Sequence, residues 1–470
     1  MEDVLILGGG IGGLASALAM ARAGHPVTLV ERDLTPPVSS PAEAFEFERR
    51  GAPQSHQTHG FLARVMVLLR DRFPDVLEAL LAQGCTTMTG MAALGDPQPG
   101  DEDLKVLIVR RTTFEWVLRQ AVAAEPGVTL RTGVAVRGLT SSRSVDGIPL
   151  VDGAITEDGE QLSAGLVIAA TGRRGAVPGW LRPLGVEVPE KIHESGLMYL
   201  SQWYRLADSE SVIIDPKLGG DLGFVKYLAV PGDGSTLSIT LAVRADDKEL
   251  RDALRDRRRF EAACRALPGP DRFFGGAPLE PLGEVRPMTG LLNRIRRFTD
   301  ADGRPTVLGF HAVGDAHTCT NPLYGRGCSL AVLQAVSLAD AAAAHPGDPA
   351  ARARAYEDLN VREVKPWWQV SVQMDKVGAD VAAGGSAATE SDAAKGVAAV
   401  FVASTSDPVI GRGLARFWNL LVTPADLMAD SDFVARVFDV ASRPGDFPAP
   451  PTGGPSRSEL LDSLAAVGAA

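Results

Sequence analysis

Cysteine is scarce in this chain. There are four in 470 residues (Cys85, Cys264, Cys319 and Cys328), none at a metal-ligand spacing. That excludes a disulfide framework and a structural zinc site, and predicts reduced, mostly buried thiols. The seven histidines also lack ligand spacing, so no metal is expected. Positive charge is in deficit, with 47 Lys and Arg against 58 Asp and Glu, net −11. A deficit of that size argues against a nucleic-acid partner and, more weakly, against docking on an anionic membrane. No uncharged apolar run reaches the roughly 18 residues that a bilayer requires, so no membrane span is expected. What is abundant is ordinary: 45% hydrophobic and 22% charged residues describe a globular chain, and 470 residues call for two or three domains.

The most informative segment is Leu5-Ile6-Leu7-Gly8-Gly9-Gly10-Ile11-Gly12-Gly13-Leu14. It reads as strand, glycine turn, helix, and Glu31 closes the next strand, Val27–Val30. This is the dinucleotide-binding fingerprint in its expected context. Gly8 allows the tight turn, Gly10 clears the approach of a pyrophosphate, and Gly13 lets helix and strand pack closely. The helix N-terminus meets the phosphate charge, and Glu31 can accept from a ribose diol. The fingerprint begins at residue 4, so no leader peptide is expected and the chain reads as cytoplasmic.

Organisation follows from patterning. The predicted fold class is α/β, a Rossmann-like nucleotide-binding domain with an inserted sheet-rich domain and a helical C-terminal region. Residues 1–75, 101–180 and 285–345 read as three parts of the nucleotide-binding domain, with 76–100 as a connecting or substrate-domain segment. Residues 34–60 are a long polar excursion, which should carry function or be mobile. Helices are expected over 11–23, 60–73 (ended by Pro74) and 112–123. Strands are expected over 129–139, 161–170 and 306–313. Residues 181–284 alternate like a sheet, with a hairpin signal at Pro231-Gly232-Asp233-Gly234 and a charged helix over 248–267. Residues 346–470 read as helical.

A second signature follows the 306–313 strand: Gly314-Asp315-Ala316-His317, then Asn321-Pro322-Leu323-Tyr324-Gly325-Arg326-Gly327, then a helix. An aspartate at a strand end can bind a ribityl hydroxyl. A helix opened by small residues offers N–H groups to the pyrimidine edge of a flavin, where negative charge grows on reduction. With both motifs in place, the chain resembles the single-component flavin-dependent monooxygenases of the aromatic hydroxylase type. Arg50-Gly51-Ala52-Pro53-Gln54-Ser55-His56-Gln57-Thr58-His59 and Ala170-Thr171-Gly172-Arg173 further resemble the polyether-pathway flavin epoxidases, the lasalocid and monensin epoxidase type. The resemblance covers most of residues 1–345 and fades beyond.

The resemblance implies FAD, held by Gly8, Gly10, Gly13, Glu31, Arg32, Arg111, Val134, Gly314, Asp315, Pro322, Gly325 and Gly327. It implies hydroxylation or epoxidation of an apolar or aromatic natural-product intermediate through a flavin C4a-hydroperoxide, with O2 and NADPH or NADH as co-reactants. Thr171-Gly172 stands where the aromatic hydroxylases carry Asp-Gly, so reductant binding departs from that family, and a separate flavin reductase could supply the electrons. Arg50, Gln54, His59 and Tyr324 are the candidates for the reaction centre. Trp203 and Tyr204 are candidates for the substrate pocket. A loop histidine such as His56 or His59 can equally serve its own turn, and Trp367-Trp368 can equally be core. An FAD-dependent reductase acting on an alkene, of the prenyl-chain reductase type, is the alternative enzyme. A non-catalytic FAD-binding protein is the alternative outside enzymes. No Trp-x-Trp-x-Ile-Pro motif supports a halogenase, and no second GxGxxG supports a Baeyer–Villiger enzyme.

Overall fold

The computed structural model describes residues 2–34, 38–89, 94–207, 218–276, 279–382, 391–448 and 453–468. The fingerprint folds as read: strand Val4–Leu7, helix Ile11–Arg22, strand Val27–Glu31. These strands enter a five-stranded parallel sheet in the order Phe310–Ala312, Leu166–Ala169, Val4–Leu7, Val27–Glu31, Val128–Thr132. Alternation along the first strand serves two cores. Val4 and Ile6 join the helix-covered core, and Leu5 and Leu7 face the opposite layer.

Backbone proximity explains two of the fingerprint glycines. Gly8 has φ +109, and a Cβ there would lie 2.5 Å from the Ala170 carbonyl oxygen. A Cβ on Gly13 would lie 1.8 Å from the Gly8 carbonyl oxygen. The helix therefore packs onto the strand at a distance that only glycine permits.

Several boundaries differ from expectation for identifiable reasons. Pro74 opens a helix, Pro74–Ala82, after Ala63–Arg72, because proline is well placed in a first helical turn. The 129–139 strand breaks into Val128–Thr132 and Val136–Thr140. The 161–170 strand breaks into Gln161–Ser163 and Leu166–Ala169, which join different sheets. Of residues 306–313 only Phe310–Ala312 pairs in the parallel sheet. The charged 248–267 stretch is two helices, Lys248–Ala253 and Arg257–Ala266. The second is capped by the Asp256 side chain, which accepts from the Arg259 N–H.

The second sheet is antiparallel, in the order Gly219–Asp221, Val225–Gly232, Thr236–Arg244, Leu197–Arg205, Glu280–Met288. Met198, Leu200, Tyr204, Leu237, Ile239 and Leu241 face a core closed by Phe260 and by Leu460 and Leu464 of the helix Arg457–Gly468. The C-terminal segment thus returns to cover this sheet. Its other face turns to the parallel sheet.

The 18-residue helix Gly327–Ala344 is long and apolar enough by length and composition to cross a membrane, but it contains Asp340 and so is not an uncharged apolar run. In the fold 78% of it is buried. It lies against the fingerprint helix, and Val332, Val336 and Leu338 enter the same core. Apolarity on all sides is what a fully surrounded core helix requires.

Candidate active site

A cavity of about 840 Å³ lies between the two sheets. The fingerprint forms one end of it. Gly8, Gly10, Glu31 and Arg32 line it there, with Val134 beside them. Gly314, Asp315, Pro322, Gly325 and Gly327 of the second signature line its middle. Two helices, Ile11–Arg22 and Gly327–Ala344, begin at this cavity, and neither has a side-chain cap. Their first N–H groups and positive dipole ends are therefore available to a ligand. Nothing lies within 4 Å of the position a Gly10 Cβ would take, so the space over that turn is free.

Four buried polar atoms of lining residues have no hydrogen-bond partner among the described residues: Arg49 Nε, Arg111 Nε, Thr171 Oγ1 and Thr320 Oγ1. Free glycine space, two uncapped helix ends and unpartnered polar atoms fit an elongated, phosphate-bearing cofactor. The Asp315 carboxyl opens on the same space. Burial raises it above the usual carboxylate range, against the pull of Arg111, Arg173 and Arg294.

A chain of charges runs behind the fingerprint. Glu31 accepts from the Gly9 N–H at 2.7 Å and the Asp33 N–H at 2.9 Å. Arg49 donates to Glu31 at 2.8 Å and pairs closely with Glu115. Arg111 lies 3.5 Å from Glu115 and donates to His59 at 3.0 Å. His59 Nδ1 faces the Gln57 carbonyl at 2.9 Å. A carbonyl only accepts, so Nδ1 carries the ring proton and Nε2 accepts from Arg111. Burial and the Arg111 charge push the His59 pKa down to about 3. His59 is therefore a neutral ring that orients Arg111.

The site residues expected from sequence divide clearly. Gly8, Gly10, Glu31, Arg32, Gln54, His59, Arg111, Val134, Gly314, Asp315, Pro322, Tyr324, Gly325 and Gly327 all line the one cavity. Gly13 lies beneath the turn and acts through packing. Arg50 is exposed and off the cavity, and its neighbour Arg49 is the buried arginine of this loop. Trp203 is buried, donates its indole N–H to the His56 carbonyl at 2.7 Å and does not line the cavity. Tyr204 points to the opposite, helix-covered side of its strand. Period-two alternation puts Tyr199 and Ser201 on the cavity side, and that signal was available in the sequence. His56 serves its own loop through the Phe45 carbonyl, and Trp367 is core beside Leu330 and Leu333.

Two groups were not foreseen. One is the row of hydroxyls Thr58, Ser201 and Thr240 with Gln57, which hydrogen-bond among themselves on the sheet wall. The other is Asp375, buried on the helix Lys365–Ala382, which accepts from Tyr324, Asn321 and Asn293. The sheet wall also carries the apolar side chains Leu228, Val230, Ala242 and Met288, with Leu292 of a neighbouring strand beside them, and the ion pair Lys226–Asp221 lines the cavity too. Arg326, just before the core helix, sits 4.9 Å from the Tyr324 ring centroid and 5.3 Å from that of Trp367. Burial brings its pKa down to about 10, so it stays cationic.

Residues 3–94 match the family model described as FAD dependent oxidoreductase. The match is confined to the N-terminal part of the chain. A curated relative, the chloroplastic zeaxanthin epoxidase of Oryza sativa subsp. japonica, is 30% identical over 187 residues, 36% of this chain. The match spans 25% of that enzyme's length. Among solved structures, p-nitrophenol 4-monooxygenase PnpA from Pseudomonas putida DLL-E4 superposes with a TM-score of 0.60 at 18% identity, over 90% of this chain and 99% of its own. The flavin-dependent brominase Bmp2 gives a TM-score of 0.62 at 16% identity, over 94% of this chain and 99% of its own. At those identities the likeness is one of fold alone.

Gly10→Val should fold with an unchanged melting temperature and purify without flavin, because the new side chain fills free space over the turn. Wild-type FAD affinity in that variant contradicts the placement. His59 gives a pH prediction. Unfolded, it takes up a proton near 6.5, and folded only near 3. The unfolded chain therefore binds the proton first, and stability falls as pH drops below 6.5. His59→Gln should flatten that acid slope in urea unfolding followed across pH, and an unchanged slope refutes the neutral buried ring.

Proposed function

We propose that this protein is an FAD-dependent monooxygenase that hydroxylates or epoxidises an uncharged apolar or aromatic small molecule. The observation that carries this reading is the continuity of one cavity, from the fingerprint turn and second signature to a sheet wall of mostly apolar side chains, whose lining cation Lys226 is paired with Asp221. A cofactor and a hydrophobic ligand would share that space, screened from water by both sheets. Bound FAD, once reduced, supplies the activation of O2 and the transfer of one oxygen atom.

The chain's own residues do the rest. The N–H groups at the start of Ile11–Arg22 would bind the diphosphate, and Glu31 would accept from a ribose. Asp315 would accept from the ribityl chain. The positive end of Gly327–Ala344 would stabilise the negative charge that a flavin gains on reduction. His59 holds no mobile proton at neutral pH and fixes the Arg111 guanidinium. Leu228, Val230, Ala242, Met288 and Leu292 exclude water from the bound substrate. Electrons come from NADPH, NADH or a separate reductase. The partial match to a zeaxanthin epoxidase favours an alkene substrate, in keeping with the resemblance to polyether-pathway epoxidases.

The test is isotopic. The purified holoenzyme, supplied with NADPH and 18O2, is offered a panel of uncharged polyenes and arenes. Incorporation of one 18O atom per product molecule is the expected result. Products that gain two hydrogens without oxygen consumption would instead establish an alkene reductase on this scaffold.

A further inference from the structure

The helix Lys365–Ala382 does not line the cavity, yet one of its side chains reaches the residues that do. Asp375 is 6% exposed. Its Oδ1 accepts from the Tyr324 hydroxyl at 2.7 Å and from Asn321 Nδ2 at 2.8 Å, and its Oδ2 accepts from Asn293 Nδ2 at 2.7 Å. Asn321 in turn accepts from the Tyr199 hydroxyl at 2.6 Å and from the Leu323 N–H at 3.1 Å. Asn293 accepts from the Asn321 N–H at 2.8 Å. Every direct donor to this carboxylate is uncharged, and no ion pair to it occurs among the described residues. A buried carboxylate held only by neutral donors is costly unless its geometry does something. Both tyrosines at the ends of the network line the cavity, from different parts of the fold. Tyr199 comes from the antiparallel sheet and Tyr324 from the turn before the core helix.

We propose that Asp375 is a positioning residue of the ligand chamber: through Tyr324 directly and Tyr199 by way of Asn321, it fixes both rings as walls and directs their phenol protons away from the ligand. The consequence is selectivity. With both O–H groups committed to the network, this part of the chamber offers ring faces and oxygen lone pairs. It suits an uncharged apolar ligand and offers nothing to a carboxylate. Burial and the Asp375 charge hold the Tyr324 hydroxyl well above its usual pKa, so the donor persists across the working pH range. The C-terminal helical region thereby shapes the chamber without entering it. The inference rests on the reading of the cavity as a shared cofactor and ligand chamber.

The variants are Asp375→Asn, Tyr324→Phe and the double substitution, all as FAD-loaded full-length protein. Asparagine offers one carbonyl oxygen to three donors, so an N–H pair is left opposed and the charge is gone. The probe is N-phenyl-1-naphthylamine, an uncharged fluorescent arene. Each single variant should bind it about tenfold more weakly, the scale of one hydrogen bond to a charged group. The double variant should be no weaker than Asp375→Asn alone, with FAD affinity unchanged throughout. Wild-type arene affinity in both single variants overturns the proposal. So do additive losses, a fall in FAD affinity that tracks a fall in melting temperature, or a wild-type holoenzyme that does not bind the arene. If Asp375→Asn fails to fold, Tyr324→Phe alone decides, since it removes a single oxygen. Failure of the wild-type protein to take up FAD would instead overturn the monooxygenase reading itself.

Discussion

The closeness of the first helix to the first strand is the constraint on which the rest of the site depends. At Gly13 a single added carbon would sit 1.8 Å from the Gly8 carbonyl oxygen. That approach brings the N-terminus of Ile11–Arg22 to the edge of the parallel sheet, where the cavity opens. The core helix Gly327–Ala344 packs against the fingerprint helix, so its own N-terminus is carried to the same cavity. Two helix dipoles then converge on one space. Strand order places Glu31 and Asp315 around it, because the strands that precede them belong to the same sheet.

Electrostatics tie the loop before the site to this frame. Arg49 bridges Glu31 and Glu115, which are 84 residues apart in sequence, and so fixes the excursion that carries Gln54, Gln57, Thr58 and His59. Arg49 is buried enough that burial lowers its pKa to about 10, with the Glu31 charge opposing that shift. Two carboxylates around one guanidinium keep it charged. Arg111 has a weaker carboxylate contact and leans on neutral His59. Its buried Nε has no hydrogen-bond partner among the described residues.

The part of the cavity lining proposed to hold the cofactor was legible in the sequence and the part proposed to hold the ligand was not, for physical reasons. Fingerprint residues are contiguous and their spacing is dictated by the turn they make, so Gly8, Gly10 and Glu31 declare themselves. Asp315 and Gly327 follow the same logic of strand end and helix start. The ligand wall is assembled from alternate residues of separate strands, and alternation alone does not say which face meets a cavity. Trp203 and Tyr204 attracted notice by size, whereas Tyr199 and Ser201 hold the cavity face. Arg50 and Arg49 differ by one position in a loop, where no periodicity distinguishes the exposed arginine from the buried one. Asp375 lies 51 residues beyond the tyrosine it holds, and only the fold brings them together. The C-terminal region was read as helical, but the return of Leu460 and Leu464 to the antiparallel sheet needed the tertiary structure.

The central claim is that one cavity holds FAD across both helix N-termini and leaves an apolar chamber beside it. A crystal structure of the purified protein with FAD tests this most directly. The account requires the diphosphate within hydrogen-bond distance of the N–H groups that follow Gly10, the flavin ring beside Gly325–Gly327, and unfilled space against Leu228, Met288 and Tyr199. FAD bound elsewhere, or a flavin ring filling that apolar space, would contradict it.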